Sequence, residues 1–347
     1  MQVHRDIQHL PVFKNAVITI GTFDGVHTGH QKIIGQLKKE AAAVDGETVI
    51  ITFHPHPRRV VREGQSPVAI LTTLDEKIEL LRQQGINHLV VVPFNEHFAS
   101  QPAEEYVADF LVAKFNPHTI IIGYDHRFGK DRKGDYHLLE DCGKKLGFLV
   151  KEIPAQVLDD VTVSSTRIRE ALLKGDIDTA NSCLGYDYHF EGLVVDGNKL
   201  GRTLGYPTAN LHIEDADKLV PGNGIYAVET SIVNRQSSIV KRETSMGEKG
   251  KVKSEIGNRQ FEPKESIGTI TNRQYLGMMS IGVRPTIGVS ERTIEVNIFD
   301  FDEDIYGQTL RVYFKKYLRP ELKFNSLDEL IAALDKDKED TLSYFGC

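Results

Sequence analysis

Through its first half the chain alternates short apolar runs with amphipathic ones. AVITI (16–20), TVIITF (48–53), HLVVVPF (88–94) and TIIIGYD (119–125) are β-rich and almost continuously apolar, the pattern of strands covered on both faces. Between them HQKIIGQLKKEAAAV (30–44), TLDEKIELLRQQG (73–85), stopped by Gly85, and AEEYVADFLVAKF (103–115), ended near Pro117, read as helices. Strands alternating with helices predict a parallel α/β sheet whose ligands sit beyond the carboxyl ends of its strands. After RIREALLKGDIDTANSCLG (167–185) the pattern changes. HFEGLVVDG (189–197), GIYAVETSI (224–232), YLGMMSIG (275–282), RTIEVNIFDF (292–301) and TLRVYFKKYL (309–318) read as short strands, and one helix from SLDELIAALDKD (326–337) follows. That order predicts a small antiparallel β-barrel with a terminal helix, and divides the chain into domains 1–185 and 186–347.

The segment over 235–272 fits neither pattern. It is rich in Ser, Lys and Glu and poor in aromatics, so it buries too little apolar surface to offset its ordering entropy. A mobile insertion joining two strands is expected there, its basic residues a solvated face.

Composition narrows the class. With 347 residues, 40% hydrophobic and 26% charged, the chain has material for two cores. A net charge of −7 argues against broad binding of a nucleic-acid backbone, while leaving room for local anion sites. The three cysteines, Cys142, Cys183 and Cys347, form no CxxC pair, which points away from a disulfide framework or a thiolate zinc site and toward a reducing cytoplasm. The N-terminal MQVHRDIQHL has no signal-peptide core, and no run has the ~18 apolar residues of a membrane span.

The chemistry is concentrated at the turn GTFDGVHTGH (21–30), between a strand and a helix. An HxxH pair alone reads as two satisfied polar residues near a helix start. Here the turn also carries Gly21, Gly25 and Gly29, so backbone N–H groups and the positive end of a helix dipole converge where His27 and His30 point. Imidazole donors at such a place suit a triphosphate whose charge shifts during reaction. Zinc is not indicated, because no third ligand of metal type is tied to the pair.

GTFDGVHTGH, GYDHRFGKDRKGD (123–135) and VSSTRIREAL (163–172) resemble the three signature segments of the HxGH nucleotidylyltransferases, in their FMN adenylyltransferase branch. GRTLGYPTAN (201–210), PGNGIYAV (221–228), IGVRPTIG (281–288) and TIEVNIFDFDEDIYG (293–307) resemble a riboflavin kinase module. Together they are similar, over nearly the whole chain and in order, to the bacterial bifunctional riboflavin kinase/FMN adenylyltransferases, also called FAD synthetases.

The resemblance implies a Rossmann-like N-terminal domain that adenylylates FMN with ATP to FAD and pyrophosphate, and a barrel that phosphorylates riboflavin to FMN. It implies riboflavin, FMN, FAD and ATP as partners and Mg²⁺ as cofactor, with neither nucleic acid nor membrane, and leaves room for weak self-association. At the adenylyltransferase site it assigns ATP binding to Gly21, Phe23, Asp24, Gly25, His27, His30, Asp125, Ser165, Thr166 and Arg169, the two histidines also being catalytic. SSTRIR reads equally as a helix cap, and a capped N-terminus is itself an anion site. Asp24 either holds magnesium or orients the turn. At the kinase site the resemblance assigns ATP and metal binding to Gly201, Arg202, Gly205, Thr208 and Asn210, with Thr208 and Asn210 as the metal ligands and Glu295 as the catalytic base. A solvated strand residue is the alternative for Glu295. Flavin contacts are expected from Phe53, Pro55, Phe128 and Arg311, although plain core packing explains Phe53 and Phe128 as well. His54 and His126 depart from the commoner family forms, which carry an acidic residue and Phe there.

Two other classes fit parts of the pattern: a single-activity adenylyltransferase whose barrel only binds, and a flavin sensor without turnover. The barrel lacks the interleaved basic and aromatic residues of single-strand binders, and an intact PTAN with Glu295 argues for an enzyme.

Overall fold

The computed structural model describes residues 1–61, 68–123, 126–153, 163–197, 200–234, 269–286 and 289–347. Asp125 and residues 235–268 of the expected insertion lie outside the described residues. The end of that expectation is corrected: residues 269–272 already belong to a strand, where Thr269 pairs with Asn234 and Ile270 with Val233.

Six parallel strands form the first sheet, in the order β1 (Gln2–His4), β4 (His88–Pro93), β3 (Thr48–His54), β2 (Val17–Ile20), β5 (Thr119–Gly123) and β6 (Leu149–Ile153). Val17–Ile20 is buried along its whole length and β3 to β5 nearly so, as continuous apolar runs require. Strand order runs one way from β2 through β3 to β4 and the other way through β5 to β6. The switch point is therefore the crevice between β2 and β5, and the turn Gly21–His30 leaves β2 at its mouth.

The second half closes into a six-stranded antiparallel barrel: β10 (Thr269–Thr286), β11 (Val289–Ile298), β8 (Ala209–His212), β7 (His189–Val195), β12 (Thr309–Arg319) and β9 (Gly224–Asn234). The Leu327–Phe345 helix, capped by Ser326, ends the chain. Its expected start is met, and it continues well past residue 337.

The sequence pattern divides at 185/186, but the packing does not. Ile168, Leu172, Ile177 and Leu184, from the helices Ser165–Leu173 and Ile177–Leu184, share one core with Tyr188, Phe190, Met279 and Val312 of the barrel. Leu71, from the crossover after β3, joins the same core. Polar contacts reinforce the seam. Lys218 is buried and donates to Leu71 O (2.7 Å) and Glu76 Oε2 (2.6 Å), while Ile70 and Lys218 form a parallel bridge.

Candidate active sites

The first site is built on the turn after β2. Phe23 and Val26 adopt positive φ (48° and 37°) and Gly25 a φ of 85°, a sequence of left-handed residues that only surrounding structure can hold. A carboxylate supplies that hold. Asp24 is 1% exposed and accepts from Leu71 N (2.9 Å), Thr72 N (3.1 Å), the Thr72 hydroxyl (3.3 Å) and the Arg169 guanidinium. Ser165 Oγ donates to Asp24 O (3.0 Å), and Tyr186 OH to Gly25 O (2.6 Å). Of the two roles open for Asp24, the geometry provides orientation of the turn.

His27 caps the Thr28–Ala43 helix: its Nδ1 accepts from His30 N at 3.4 Å. An accepting Nδ1 leaves the ring proton on Nε2, free to donate away from the helix. The rings of His27 and His30 stack at 3.7 Å with 19° between their planes, and Phe23 backs His30 at 4.9 Å. A Cβ on Gly29 would stand 3.2 Å from the His27 ring, so a bare backbone is what gives the imidazole room. His30 Nδ1 is buried with no hydrogen-bond partner. Burial pushes His27 down to about 4, Asp24 opposing and Arg169 adding. His30 is lowered well below its ordinary value by burial, then by His27 and Lys77. Both rings are therefore neutral donors at neutral pH.

Several expected contacts are placed differently. Arg169 is 8% exposed; its Nε donates to Ala69 O (2.7 Å) and its Nη2 to Asp24, so the fork expected on phosphate faces inward and braces the turn. Ser165 spends its hydroxyl on the same brace, and Thr166 is exposed in the first turn of its helix. Phe128 packs in the core with Tyr106 at 5.5 Å, and Gly134 lies against its ring. Phe53 is partly buried beside Phe94 (5.4 Å) and Phe98 (5.8 Å), with Pro55 following a cis bond from His54. Arg311 lies at the seam between the modules. It is 4% exposed, and its Nη atoms grip Glu79 at 2.8 and 2.7 Å while Nε and Nη2 bond Glu191 at 3.0 and 2.6 Å. It clamps the barrel to the Leu74–Gln83 helix.

The second site forms where β8 meets β11. Ile294, Val296 and Ile298 pack into the barrel core and Glu295 turns to the other side, opposite Asn210 in the ladder. Thr208 Oγ1 donates to Glu295 Oε2 at 3.0 Å. Hydroxyl, amide and carboxylate oxygens thus gather within one short loop and strand. Gly197 makes room for them, since a Cβ there would meet the Asn210 amide at 2.0 Å. Gly205 takes φ 82° at the loop's bend, Gly201 lies against Tyr206, and Arg202 is exposed. The loop is tied down by Asn297 Nδ2, which donates to Pro207 O at 2.6 Å, and by Tyr206 OH on Asp335 of the terminal helix.

Sequence reasoning missed Asn297 as the tie of the loop and the burial of Lys77. Asn297 carried a faint signal, a polar residue one alternation after Glu295 in TIEVNIF. Lys77 carried another: in TLDEKIELL it occupies the slot three after Leu74 and four before Leu81, on the buried stripe of its helix.

A cavity of about 320 Å³ lies between the modules, lined by Glu76, Glu191, Glu214, Asp215, Arg5 and Lys218 among others. Its wall is rich in carboxylates. Among the described residues no group of three or more His, Cys, Asp or Glu could hold a metal, and no helix is long and apolar enough to cross a membrane.

Comparison with known proteins agrees with this division of labour. The family model described as FAD synthetase matches residues 10–167, and that described as riboflavin kinase matches residues 184–345. The bifunctional riboflavin kinase/FMN adenylyltransferase of Bacillus subtilis (strain 168) is 34% identical over 95% of this chain and 93% of its own length. The protein of the same description from Escherichia coli (strain K12) is 32% identical over 96% and 94%. Among solved structures, a macrolide-efflux protein from Streptococcus pneumoniae superposes with a TM-score of 0.77 at 29% identity, over 98% of both chains. That likeness bears on the fold, and the efflux description stays with the Streptococcus protein. With both family models in order and relatives above 30% identity along its whole length, the chain belongs to the bifunctional riboflavin kinase/FMN adenylyltransferase family.

Proposed function

We propose that this chain makes FAD from riboflavin in two ATP-dependent steps, at two separate sites. The barrel phosphorylates riboflavin, and the α/β domain adenylylates the resulting FMN. The observation that carries this reading is that one polypeptide presents two distinct constellations suited to phosphates: stacked neutral imidazoles at a helix mouth, and Thr208, Asn210 and Glu295 on the barrel.

In the kinase step the Glu295 carboxylate takes the proton of the riboflavin 5′-hydroxyl as that oxygen attacks the γ-phosphorus of ATP. The Thr208 hydroxyl donates to one oxygen of that carboxylate and orients it. Families that use ATP for such transfers generally need a divalent metal, and the oxygen donors here fit a hard ion such as Mg²⁺. Thr208 and Asn210 are the residues that would hold it, and when bound it draws charge from the phosphates.

In the adenylyltransferase step an FMN phosphate oxygen attacks the α-phosphorus and pyrophosphate leaves. No protein nucleophile is needed, so catalysis is positioning plus stabilisation of developing charge. His27 Nε2–H and His30 donate to the phosphates, helped by the first N–H groups of the Thr28–Ala43 helix. Asp24, Arg169 and Ser165 keep the turn in its left-handed shape. Phe53, partly buried at the end of β3 beside Phe94 and Phe98, is the aromatic we assign to the flavin.

Incubating the full chain with riboflavin, ATP and Mg²⁺ and resolving products by chromatography should show FMN first and FAD after it. Neither product appearing would leave a binding protein, and FAD only from added FMN would remove the kinase half.

A further inference from the structure

Ahead of the Leu74–Gln83 helix, residues 69–72 run as a narrow strip between the histidine turn and the barrel module. From Ala69 O to Thr72 N every main-chain polar group of the strip is engaged. Toward the turn, Leu71 N and Thr72 N donate to the Asp24 carboxylate (2.9 and 3.1 Å), the Thr72 hydroxyl accepts from Gly25 N (3.1 Å), and Ala69 O accepts from Arg169 Nε (2.7 Å). Toward the barrel, Ile70 N donates to Asp217 O (2.7 Å), Ile70 O accepts from Leu219 N (2.9 Å), and Leu71 O accepts from Lys218 Nζ (2.7 Å). Asp24 and Lys218 thus hold opposite ends of one residue, Leu71. Lys218 comes from the loop between β8 and β9, inside the segment matched by the riboflavin kinase model. Its side chain is 2% exposed, and that of Glu76, its ion-pair partner at 2.6 Å, is 4% exposed. Glu76 Oε2 also accepts from Thr73 N at 2.8 Å, so the same pair locks the downstream end of the strip. An apolar pair would stabilise such a seam at least as well, because burying two charges costs their hydration. What an apolar pair lacks is a directed donor for Leu71 O, and that direction fixes where the Leu71 and Thr72 N–H groups point. The left-handed turn takes its shape from Asp24, Asp24 is held by the strip, and the strip is held by Lys218.

We propose that Lys218, a residue of the kinase module, is a positioning residue for the adenylyltransferase reaction: through Leu71 and Asp24 it sets the turn that aims His27 and His30. The proposal rests on the adenylyltransferase reading and deepens it. The two reactions stay chemically separate, while the geometry of the first site is completed by the second module.

The test uses the full chain with Lys218→Met, Lys218→Arg, and Lys218→Met joined to Glu76→Gln. Lys218→Met strips the Leu71 carbonyl of its donor and leaves Glu76 buried without its cation, so its thermal midpoint should fall. Adding Glu76→Gln removes the bare charge, keeps an acceptor for Thr73 N, and should recover most of that fall. A misplacement of about 1 Å costs a reaction as much as about 100-fold, and a turn still held by Arg169, Ser165 and Tyr186 loses less. The kcat for FAD formation from FMN should therefore drop about tenfold in Lys218→Met and stay as low in the restabilised double variant, with the KM values for ATP and FMN moving less than about threefold. Riboflavin phosphorylation should persist, and Lys218→Arg, which keeps a donor, should regain most of the rate. Hydrogen exchange of the ligand-free double variant should quicken at residues 21–30 and 69–73 and not across β9 and β12. A parental rate in Lys218→Met overturns the proposal, as does a double variant in which midpoint and rate return together, since stability alone would then explain the loss. Equal slowing of both steps, or exchange that quickens across the barrel as much as at the turn, overturns it too. Exchange is read without turnover, so this failure is distinguishable from failure of the adenylyltransferase reading, which would show as a parent chain that forms no FAD from FMN and ATP.

Discussion

Replacing Arg311 by Met removes the cation that joins the two modules and leaves Glu79 and Glu191 facing each other. Four charge-assisted hydrogen bonds disappear, two to each carboxylate. Removing one partner of a buried charge network costs about 3–5 kcal/mol. Glu79 keeps 31% of its side-chain exposure against 11% for Glu191, and solvent screening at Glu79 puts the expected loss near the lower end, about 3 kcal/mol. For units of this size about 1 kcal/mol moves the midpoint by roughly 2–4 °C, so calorimetry should show a fall of about 6–12 °C. Burial alone would raise the Glu79 carboxyl, but the Arg311 hydrogen bond and charge outweigh it and leave it below the usual range. Stability from that pairing is present above the ordinary carboxylate value and is lost as pH falls through the lowered one, so the gap between variant and parent should narrow on acidification. Neutralising all three, with Arg311→Met, Glu79→Gln and Glu191→Gln together, should recover most of the loss. A midpoint within about 2 °C of the parent, or a triple variant as unstable as the single one, would refute the clamp.

Four further outcomes are expected. His30→Ala should lower FAD formation from FMN at least about tenfold and leave FMN formation from riboflavin intact; equal loss of both steps would contradict separate sites. Glu295→Gln should abolish riboflavin phosphorylation while sparing adenylylation of supplied FMN, and normal kinase turnover would remove Glu295 from the mechanism. Asn297→Ala frees the Pro207 carbonyl and should raise the kinase KM for ATP by roughly fivefold, about one hydrogen bond's worth, with kcat for adenylylation unchanged as the control. Burial lowers His27 and His56 to about 4 and His189 to about 3 from an ordinary 6.5. The unfolded chain binds those protons first, so the contribution is full above 6.5 and is lost as pH falls toward 4. Melting curves across that interval should drop steeply, and His189→Gln should flatten the slope; a flat parent profile would contradict it.

The central strands were legible because both faces are covered, which makes β2 to β5 apolar at consecutive positions. β1 has three residues and β8 four, too short for any period, and β6 is an edge strand whose burial is mostly exposed or partial. The histidine turn and the PTAN loop were visible because their residues adjoin in sequence. What escaped notice depends on residues brought together from far apart. Arg311 and Glu79 are separated by 232 positions and Arg169 and Asp24 by 145, and no local pattern marks either pair. An arginine within a motif reads as a phosphate fork, and only the fold reveals that its guanidinium is already engaged. Lys77 was hidden for the opposite reason: in sequence it passes for one more charge on an amphipathic helix, and only the fold shows it to be buried.

The separation of the two sites is tested most directly by mixing. Glu295→Gln, which makes no FMN, and His30→Ala, which adenylylates FMN at least about tenfold more slowly, should together form FAD from riboflavin, ATP and Mg²⁺ far faster than either alone, with FMN passing through solution from one variant to the other. A mixture no faster than either variant alone, although each retains the single step assigned to it, would contradict two independent sites on this chain.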